Sequence, residues 1–229
     1  MFGDFDYGEI VRALPYLFFQ GMRFTLSLTA TTAAGGVVLG TLLAMLRLSR
    51  LSALPLLAAG YVNLMRALPL VLVLFWFYFL IPYVGQWVFH ASRPVSVGGP
   101  TSAYVTFTLF EAAYFAEIMR AGIQSIPPGQ VYAGQALGLP YWQVMRYVVL
   151  PRAFRNMLPV LLTQTIVLFQ DTSLVYVLSI TDFLGAASKI AQRDGRLVEL
   201  YLFAALVYFV VSFGASRLAK LLQARPGAA

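Results

Sequence analysis

Cysteine is absent from this sequence of 229 residues, and histidine occurs once, as His90. Without cysteine, the chain can form neither a disulfide framework nor a thiolate metal site. An HExxH zinc site needs two histidines and is therefore excluded, and a Ser-His-Asp triad would depend on His90 alone. His90 follows a long apolar run, and we interpret it as an interfacial residue at the end of that run.

Charged residues are also scarce, at 11% of the sequence against 60% hydrophobic residues. Soluble domains carry about 25% charged residues and roughly half apolar ones. The excess of apolar residues predicts an all-α integral membrane protein whose surface faces lipid. The formal net charge of +7 could indicate nucleic-acid binding. The basic residues are spread between apolar runs, however, which favours membrane topology, and we expect no nucleic-acid partner.

The sequence contains no Gly-x-x-x-x-Gly-Lys-Ser/Thr segment, because neither of its two lysines, Lys189 and Lys220, follows a glycine. That segment is required for a P-loop, which cradles the phosphates of ATP. We therefore expect this chain to bind no cofactor of its own, and any use of ATP to require a separate ATPase.

Five segments are long and apolar enough to cross a membrane, which takes about 20 residues. The predicted spans are residues 24–46, 67–90, 100–118, 156–181 and 197–218. Residues 121–145 also lack charge, but their glycines and prolines would leave backbone groups without partners in lipid. Residues 121–152 are therefore predicted to be a folded loop.

Basic residues set the expected orientation, because cytoplasmic loops carry the excess of arginine and lysine. With the N-terminus outside, ten basic residues lie inside: Arg47, Arg50, Arg66, Arg120, Arg146, Arg152, Arg155, Arg217, Lys220 and Arg225. The other six lie outside. We expect an extracytoplasmic segment at 1–20, a membrane domain at 21–222 and a cytoplasmic tail at 223–229. Acidic residues precede the first apolar run, so residues 1–20 do not resemble a signal peptide.

The first span carries small residues at every fourth position, namely Thr32, Gly36, Gly40 and Ala44. Such a ladder allows another helix to approach closely. The alternative is a lipid-facing helix that happens to be rich in glycine. We favour close packing.

The loop at 129–151 reads as two short helices broken at Gly138, where glycine permits a left-handed turn. Pro140 suits an early position of the second helix, and Pro151 is expected to stop it. Apolar residues exceed what two small helices can bury alone: Leu137, Leu139, Trp142, Val144, Met145 and Val148. From the residues alone, the hairpin either docks on a partner or lies on the membrane surface.

This loop resembles the EAA loop of bacterial ATP-binding-cassette (ABC) importer permeases, with the pattern E-A-A, three residues, G, nine residues, I, one residue, L-P. The matching positions are Ala133, Gly138, Leu150 and Pro151, with Val148 in place of isoleucine. Tyr132 and Gly134 depart from the pattern. The resemblance implies that this loop couples to the ATPase through Gln130, Tyr132, Ala133, Gly134, Gly138, Val148, Leu150 and Pro151.

The resemblance covers roughly residues 20–220 and is to permeases for polar amino acids. It includes Arg66-Ala67-Leu68-Pro69-Leu70, Ala116-Glu117-Ile118-Met119-Arg120-Ala121-Gly122, the segment from Leu150 to Pro159, and Asp171-Thr172-Ser173-Leu174 after Gln170. Residues 161–179 and the segment Gln192-Arg193-Asp194-Gly195 look most similar to a glutamate/aspartate permease subunit. The implied fold is the transmembrane domain of a type I ABC importer.

The resemblance also implies partners in a bacterial cytoplasmic membrane. These are a second permease subunit or a second copy of this chain, a cytoplasmic ABC ATPase dimer, and an extracytoplasmic amino-acid-binding protein. ATP would be used by the partner ATPase, so this chain is not expected to be an enzyme.

Polar residues in the fourth span are candidates for the substrate path. Asp171 is the ionisable residue deepest in an apolar span, and such residues are functional by default. The alternative is a buried carboxylate that bonds the backbone at the helix end or a neighbouring threonine or serine and helps to break the helix. Residues seven apart return to nearly the same helix face. We therefore predict a polar stripe of Thr163, Gln164, Gln170 and Asp171, followed by Thr172 and Ser173.

Two glutamates in the third span, Glu111 and Glu117, share one face, and Glu117 is expected to pair with Arg120. The predicted function is the permease subunit of an importer for a polar amino acid, with glutamate or aspartate favoured. A permease for a basic or neutral amino acid is the first alternative. Two further alternatives are less favoured. One is an ion-coupled secondary transporter, which usually has internal repeats, and the other is a membrane enzyme, which needs clustered carboxylates.

Overall fold

The computed structural model describes residues 5–49, 53–95 and 97–223, with side chains to Leu221, and these residues form helices and connecting turns. We label the helices α1 to α8 in chain order: α1 Tyr7–Arg47, α2 Leu54–Ala67, α3 Leu70–Val88, α4 Gly99–Gln124, α5 Pro128–Ala136, α6 Tyr141–Leu178, α7 Phe183–Asp194 and α8 Leu197–Gln223. The predicted all-α fold class is confirmed. Arg50, Arg225 and residues 224–229 of the predicted tail lie outside the described residues.

Helix α1 begins well before the first predicted span, at Tyr7 rather than near residue 24. The Asp6 carboxylate caps it and accepts hydrogen bonds from the backbone N–H of Gly8 at 2.8 Å and of Glu9 at 3.3 Å. A capping aspartate satisfies N–H groups that have no partner inside the helix. Asp6 and Glu9 thus begin a helix in the segment that the sequence assigned to the outer surface.

Four of the described helices are long and apolar enough to cross a membrane: α1, α3, α6 and α8. Helix α4, the predicted third span, has 26 residues and a length of about 39 Å. Its composition is more polar because it carries Glu111, Glu117 and several hydroxyls. Ser102, Thr106 and Glu111 are buried, so these side chains face protein rather than lipid.

Helices α2 and α7 have 14 and 12 residues, too few to cross the hydrocarbon core. The sequence did not predict either helix, since both lie between spans and lack a long apolar run. Asp182 caps α7, where its carboxylate accepts from the N–H of Gly185 at 2.8 Å and of Leu184 at 3.1 Å.

The prediction that Pro151 ends its helix is wrong, because α6 continues through Leu150–Asp171. A π-helical turn, Met145–Val149, directly precedes this region. Proline has no N–H for the carbonyl four residues earlier, and its ring crowds that carbonyl. A wider turn accommodates the ring without stopping the helix. In α3, the turn Trp76–Leu80 precedes Pro82 in the same way.

The chain divides into two compact units. The first contains the described residues of Met1–Ala33, Pro69–Thr108 and Thr165–Ser216, and the second those of Ala34–Leu68, Leu109–Gln164 and Arg217–Ala229. The core of the first unit includes Leu17, Phe183, Ala187 and Leu200.

In the second unit, the predicted close helix approach along the small-residue ladder is confirmed. A Cβ on Gly40 would lie 2.7 Å from the Cβ of Phe115, and one on Gly36 would lie 2.9 Å from the ring of Phe115. Only glycine fits at such distances. The core around Phe115 also includes Ala44, Met119 and Leu161.

Candidate coupling surface and transport path

The predicted hairpin is formed by α5 and the start of α6. Helix α5 ends at Ala136, and Gly138 has a φ of +80°, which confirms the left-handed turn. The Gly138 N–H donates to the Gln135 carbonyl at 2.9 Å, and the Leu139 N–H donates to the Gly134 carbonyl at 3.2 Å. Pro140 is the N-cap of the next helix. No atom lies within 4 Å of a Cβ built on Gly138, so the backbone conformation, not space, requires glycine.

The inner side of the hairpin has its own small core of Ile126, Val144, Met145, Val149 and Ala153. Gly134 faces this core, where an added Cβ would lie 3.0 Å from Val144. Gly134 replaces the second alanine of the EAA pattern. The tight contact with Val144 is a physical reason for the smaller residue.

The outer side of the hairpin presents large apolar groups to solvent. Leu137 is 81% exposed, and Tyr132, Tyr141, Trp142 and Tyr147 are each more than half exposed. A cavity of about 720 Å³ lies beside these residues and is lined in part by Leu48, Gln124, Tyr132, Gln135 and Tyr141. Exposed apolar patches of this kind mark interaction sites.

The predicted coupling residues are thus divided between two environments. Tyr132, Ala133, Gly138 and Pro151 are exposed, Gln130, Val148 and Leu150 are half-buried, and Gly134 is buried. The Gln130 side-chain oxygen is buried with no hydrogen-bond partner among the described residues. Four of the predicted residues can therefore contact a partner directly, while the others support the hairpin.

Gln164, the first amide of the predicted stripe, contacts a buried carboxylate. Its Nε2 donates to the two Glu111 carboxylate oxygens at 3.0 and 3.4 Å, and Glu111 is 1% exposed. A buried charge is costly unless it has hydrogen-bond partners. Gln164 therefore stabilises α4 against α6 within the second unit, a role that the sequence did not predict.

Gln170 and Ser173 line a cavity of about 460 Å³ between α6 and α8 in the first unit. The Gln170 Nε2 donates to the Ser212 hydroxyl at 3.1 Å. Tyr201, Tyr208 and Ser212 add polar groups from α8 to the lining. Sequence analysis did not identify these α8 residues, because their helical spacing in an apolar segment was the only signal available.

The remaining predicted path residues differ in their contacts. The Thr163 hydroxyl is exposed and donates to the Pro159 carbonyl at 3.0 Å, whereas the buried Thr172 hydroxyl donates to the Phe169 carbonyl at 2.7 Å. Asp171 is half-buried at the junction of α-helix and 3-10 helix, and its side chain makes no cap hydrogen bond to the described 3-10 turn. The structural alternative of helix capping by Asp171 is therefore not observed.

Glu117 pairs with Arg120, as the sequence predicted, and also with Arg47, whose Nη1 lies 2.5 Å from the Glu117 Oε2.

Among the described residues, no group of three His, Cys, Asp or Glu side chains could hold a metal ion.

Residues 36–227 match the family described as the binding-protein-dependent transport system inner membrane component. The chain belongs to this family. It is a multi-pass inner membrane protein and a transport subunit, not an enzyme, and it works in a system that depends on a separate binding protein.

Two relatives align over most of their length. The glutamate/aspartate import permease protein GltK of Escherichia coli O6:H1 is 51% identical over 222 residues, which cover 97% of this chain and 98% of the relative. The probable amino-acid ABC transporter permease protein YckA of Bacillus subtilis is 32% identical over 201 residues, covering 88% and 84% of the two chains.

A solved structure supports the same fold. The crystal structure of an amino acid ABC transporter with histidines matches with a TM-score of 0.83 and 31% identity, covering 96% of this chain and 99% of that one. The inward-facing MetNI methionine ABC transporter, at 20% identity and a TM-score of 0.69, shows the fold alone and covers 90% and 96% of the two chains. The predicted type I ABC importer fold is therefore confirmed.

Proposed function

We propose that this chain is the permease subunit of an ATP-driven importer of glutamate and aspartate. The observation that carries the proposal is the 51% identity to a glutamate/aspartate import permease over 97% of this chain. The polar residues that line the α6–α8 cavity could contact a small polar substrate. Amides and hydroxyls such as Gln170, Ser173 and Ser212 can bond both the carboxylates and the ammonium group of an amino acid.

The outer side of the hairpin is proposed to dock on a cytoplasmic ABC ATPase. Its exposed aromatic residues and the adjacent 720 Å³ cavity form an apolar surface with space for a partner element. Aromatic residues are enriched at protein interfaces and dominate their energetics. The Gly138 turn fixes the angle between α5 and α6, so the hairpin would transmit movement of the ATPase to α6.

A second permease subunit or a second copy of this chain is proposed to complete the path, and an extracytoplasmic amino-acid-binding protein to deliver the substrate. A dicarboxylate carries net negative charge, but the middle of each predicted span in this chain lacks lysine and arginine. Hydroxyls, amides and helix N-termini, or a cation of the second permease, would have to bind that charge. ATP would be bound by the ATPase.

The proposed orientation has the N-terminus outside and residues 121–152 and the C-terminus in the cytoplasm. Cysteines introduced singly at Ser92 and Gln135 can be tested with an impermeant thiol reagent in whole cells, since the chain has no native cysteine. We expect labelling at position 92 only. Labelling at 135 but not at 92 would reverse the orientation.

Another polar amino acid is the second candidate substrate, because the glutamine transport system permease protein GlnP of Escherichia coli is 32% identical over 97% of this chain. Uptake of labelled glutamate by cells that carry the complete system should be tested against excess unlabelled aspartate, glutamine and arginine. We expect competition by aspartate alone. Competition by glutamine with none by aspartate would favour the second candidate.

A further inference from the structure

A cluster of three arginines surrounds one glutamate in the second unit. The Arg47 Nη1 lies 2.5 Å from the Glu117 Oε2, and Arg120 hydrogen-bonds the Glu117 Oε1 through Nη2 and through Nε, the latter at 3.1 Å. The Arg66 Nη1 lies 3.9 Å from the Glu117 Oε2. Three guanidinium charges face one carboxylate charge, so two positive charges remain within this arginine cluster.

Arg66 is the least engaged of the three arginines. Its distance to Glu117 exceeds hydrogen-bond reach, and its side chain is 40% exposed, compared with 15% for Arg47 and 27% for Arg120. The guanidinium lies 5.6 Å from the centre of the Tyr114 ring, a cation–π contact that restrains its position. Arg120, by contrast, also donates to the Gln124 Oε1 at 2.6 Å. Arg66 therefore has N–H donors available for a further acceptor.

Each residue of the arginine cluster lies near the end of a helix. Arg47 is the last residue of α1, Arg66 lies in the last turn of α2, three residues before Pro69, and Arg120 lies near the end of α4. Of these three helices, α1 is long and apolar enough to cross a membrane, and a membrane-spanning helix ends near the lipid headgroups. The end of α1 at Arg47 is therefore expected near that level, and Arg66 and Arg120 approach the same Glu117 carboxylate as Arg47. Basic pockets between membrane helices bind anionic headgroups through the same charges.

A purely structural ion pair does not account for all three arginines. Arg47 and Arg120 already donate to the two oxygens of Glu117, and the Arg47 bond links α1 to α4. Arg66 adds a third positive charge without a hydrogen bond to Glu117. The planar guanidinium fork matches a phosphate group, which accepts two parallel N–H bonds.

We propose that Arg66, supported by Arg47 and Arg120, binds the phosphate group of an anionic phospholipid at the membrane boundary. The excess of positive charge selects an anionic headgroup over a zwitterionic one. Glu117 holds Arg47 and Arg120 in place. None of the three arginines is one of the predicted coupling or path residues, and the proposal does not depend on which amino acid is transported.

The test uses the full chain in nanodiscs that contain phosphatidylcholine and phosphatidylglycerol, followed by native mass spectrometry of the lipids retained after release. Arg66→Gln should lower the retention of phosphatidylglycerol relative to phosphatidylcholine by about fivefold, the effect expected for one interfacial arginine. Arg66→Lys keeps the charge but loses the planar guanidinium fork, so its retention of phosphatidylglycerol should lie between those of the wild type and Arg66→Gln. Wild-type retention should also fall at high salt, because salt screens the contact.

Arg152→Gln is the matched control, because Arg152 is an exposed arginine in the same unit and lies outside the arginine cluster. Its retention should equal that of the wild type. An equal loss in Arg152→Gln and Arg66→Gln would overturn the proposal, since the effect would then reflect general surface charge. Retention in Arg66→Gln equal to the wild type would also overturn it.

A second arm distinguishes a lipid from a free phosphate. Phosphatidylglycerol and inorganic phosphate are added separately to delipidated wild type and to delipidated Arg66→Gln in detergent. Thermal unfolding is followed by circular dichroism. We expect phosphatidylglycerol, but not inorganic phosphate, to raise the melting temperature of the wild type more than that of the variant. Stabilisation by inorganic phosphate alone would overturn the lipid as the ligand. The melting curves also show whether each variant is folded.

Discussion

The hairpin of α5 and early α6 and the polar residues of later α6 differ in where their side chains find partners. The hairpin exposes Leu137, Trp142 and several tyrosines to solvent, so a large part of its apolar surface has no contact within this chain. Gln164 and Gln170, in contrast, bond Glu111 and Ser212 of the same chain. A polar residue in a membrane helix is therefore not by itself a substrate contact, whereas a large exposed apolar surface on a loop indicates an interaction site.

The largest effect should come from the hairpin turn. We expect Gly138→Val to abolish transport while the purified complex still hydrolyses ATP, because a β-branched residue at a φ of +80° is strained and would change the angle between α5 and α6. Transport and ATP hydrolysis are measured on the same reconstituted vesicles. Gly129→Val is the control, since a Cβ there also meets no atom within 4 Å but φ is not positive. Normal transport by Gly138→Val would show that this angle does not matter for coupling.

A smaller effect is expected at Asp171, the half-buried carboxylate that makes no cap hydrogen bond. Asp171→Asn keeps the size and removes the charge. If the charge serves the path by binding the substrate ammonium group or a partner arginine, uptake should fall by more than about tenfold, or roughly 1.4 kcal/mol on the barrier. Initial uptake rates for glutamate, aspartate and a neutral amino acid provide the measurement. Unchanged rates for all three would remove Asp171 from the path.

Gln164→Leu should act mainly through stability. The substitution keeps the bulk and removes a hydrogen bond to the buried Glu111 carboxylate, which costs about 1–3 kcal/mol. We expect a lower melting temperature in detergent and a loss of uptake smaller than that of Asp171→Asn, with assembly retained. Thr163→Val is the control, because the exposed Thr163 hydroxyl bonds only the Pro159 carbonyl of its own helix among the contacts described. Equal melting temperatures for both variants would argue against a structural role for Gln164.

The smallest effect concerns Asp182, which lies in the turn between α6 and α7, outside the segments that are long and apolar enough to cross a membrane. Burial raises the pKa of its carboxyl from 3.8 to about 6, although the N–H groups of Gly185 and Leu184 oppose this shift. A raised pKa in the folded state means that Asp182 stabilises the fold at low pH, and that this contribution is lost as the pH rises through about 6.

The melting temperature of the wild type should therefore fall between about pH 5 and about pH 7, and Asp182→Asn should reduce that dependence. The amide stays neutral over this range and keeps one oxygen to cap α7. Thermal unfolding in detergent at both pH values is the measurement. An identical pH dependence in the wild type and the variant would show that another group causes it.

Local signals predicted the hairpin well, because its turn depends on residues that are neighbours in the chain. Gly138 and Pro140 determine the backbone of that turn, and both conformations follow from the chemistry of glycine and proline. The effect of Pro151 was not predictable in the same way. A π-helical turn can absorb a proline, and the sequence has no clear mark for such a turn.

Contacts between distant residues account for most of what the sequence could not predict. Gln164 and Glu111 are 53 residues apart, and Gln170 and Ser212 are 42 apart. Periodicity places each residue on a helix face but does not identify the helix that it meets. Helices α2 and α7 were missed because a search for long apolar runs passes over short helices between spans.

The central claim is that this chain moves glutamate only together with an ATPase and a binding protein. The most direct test reconstitutes the chain with the second permease, the ATPase and the binding protein in liposomes, with ATP on the side of the ATPase, and measures uptake of labelled glutamate. We predict uptake that stops when ATP, the ATPase or the binding protein is omitted. Uptake that continues without the ATPase and follows an imposed proton or sodium gradient would contradict the claim and favour a secondary transporter.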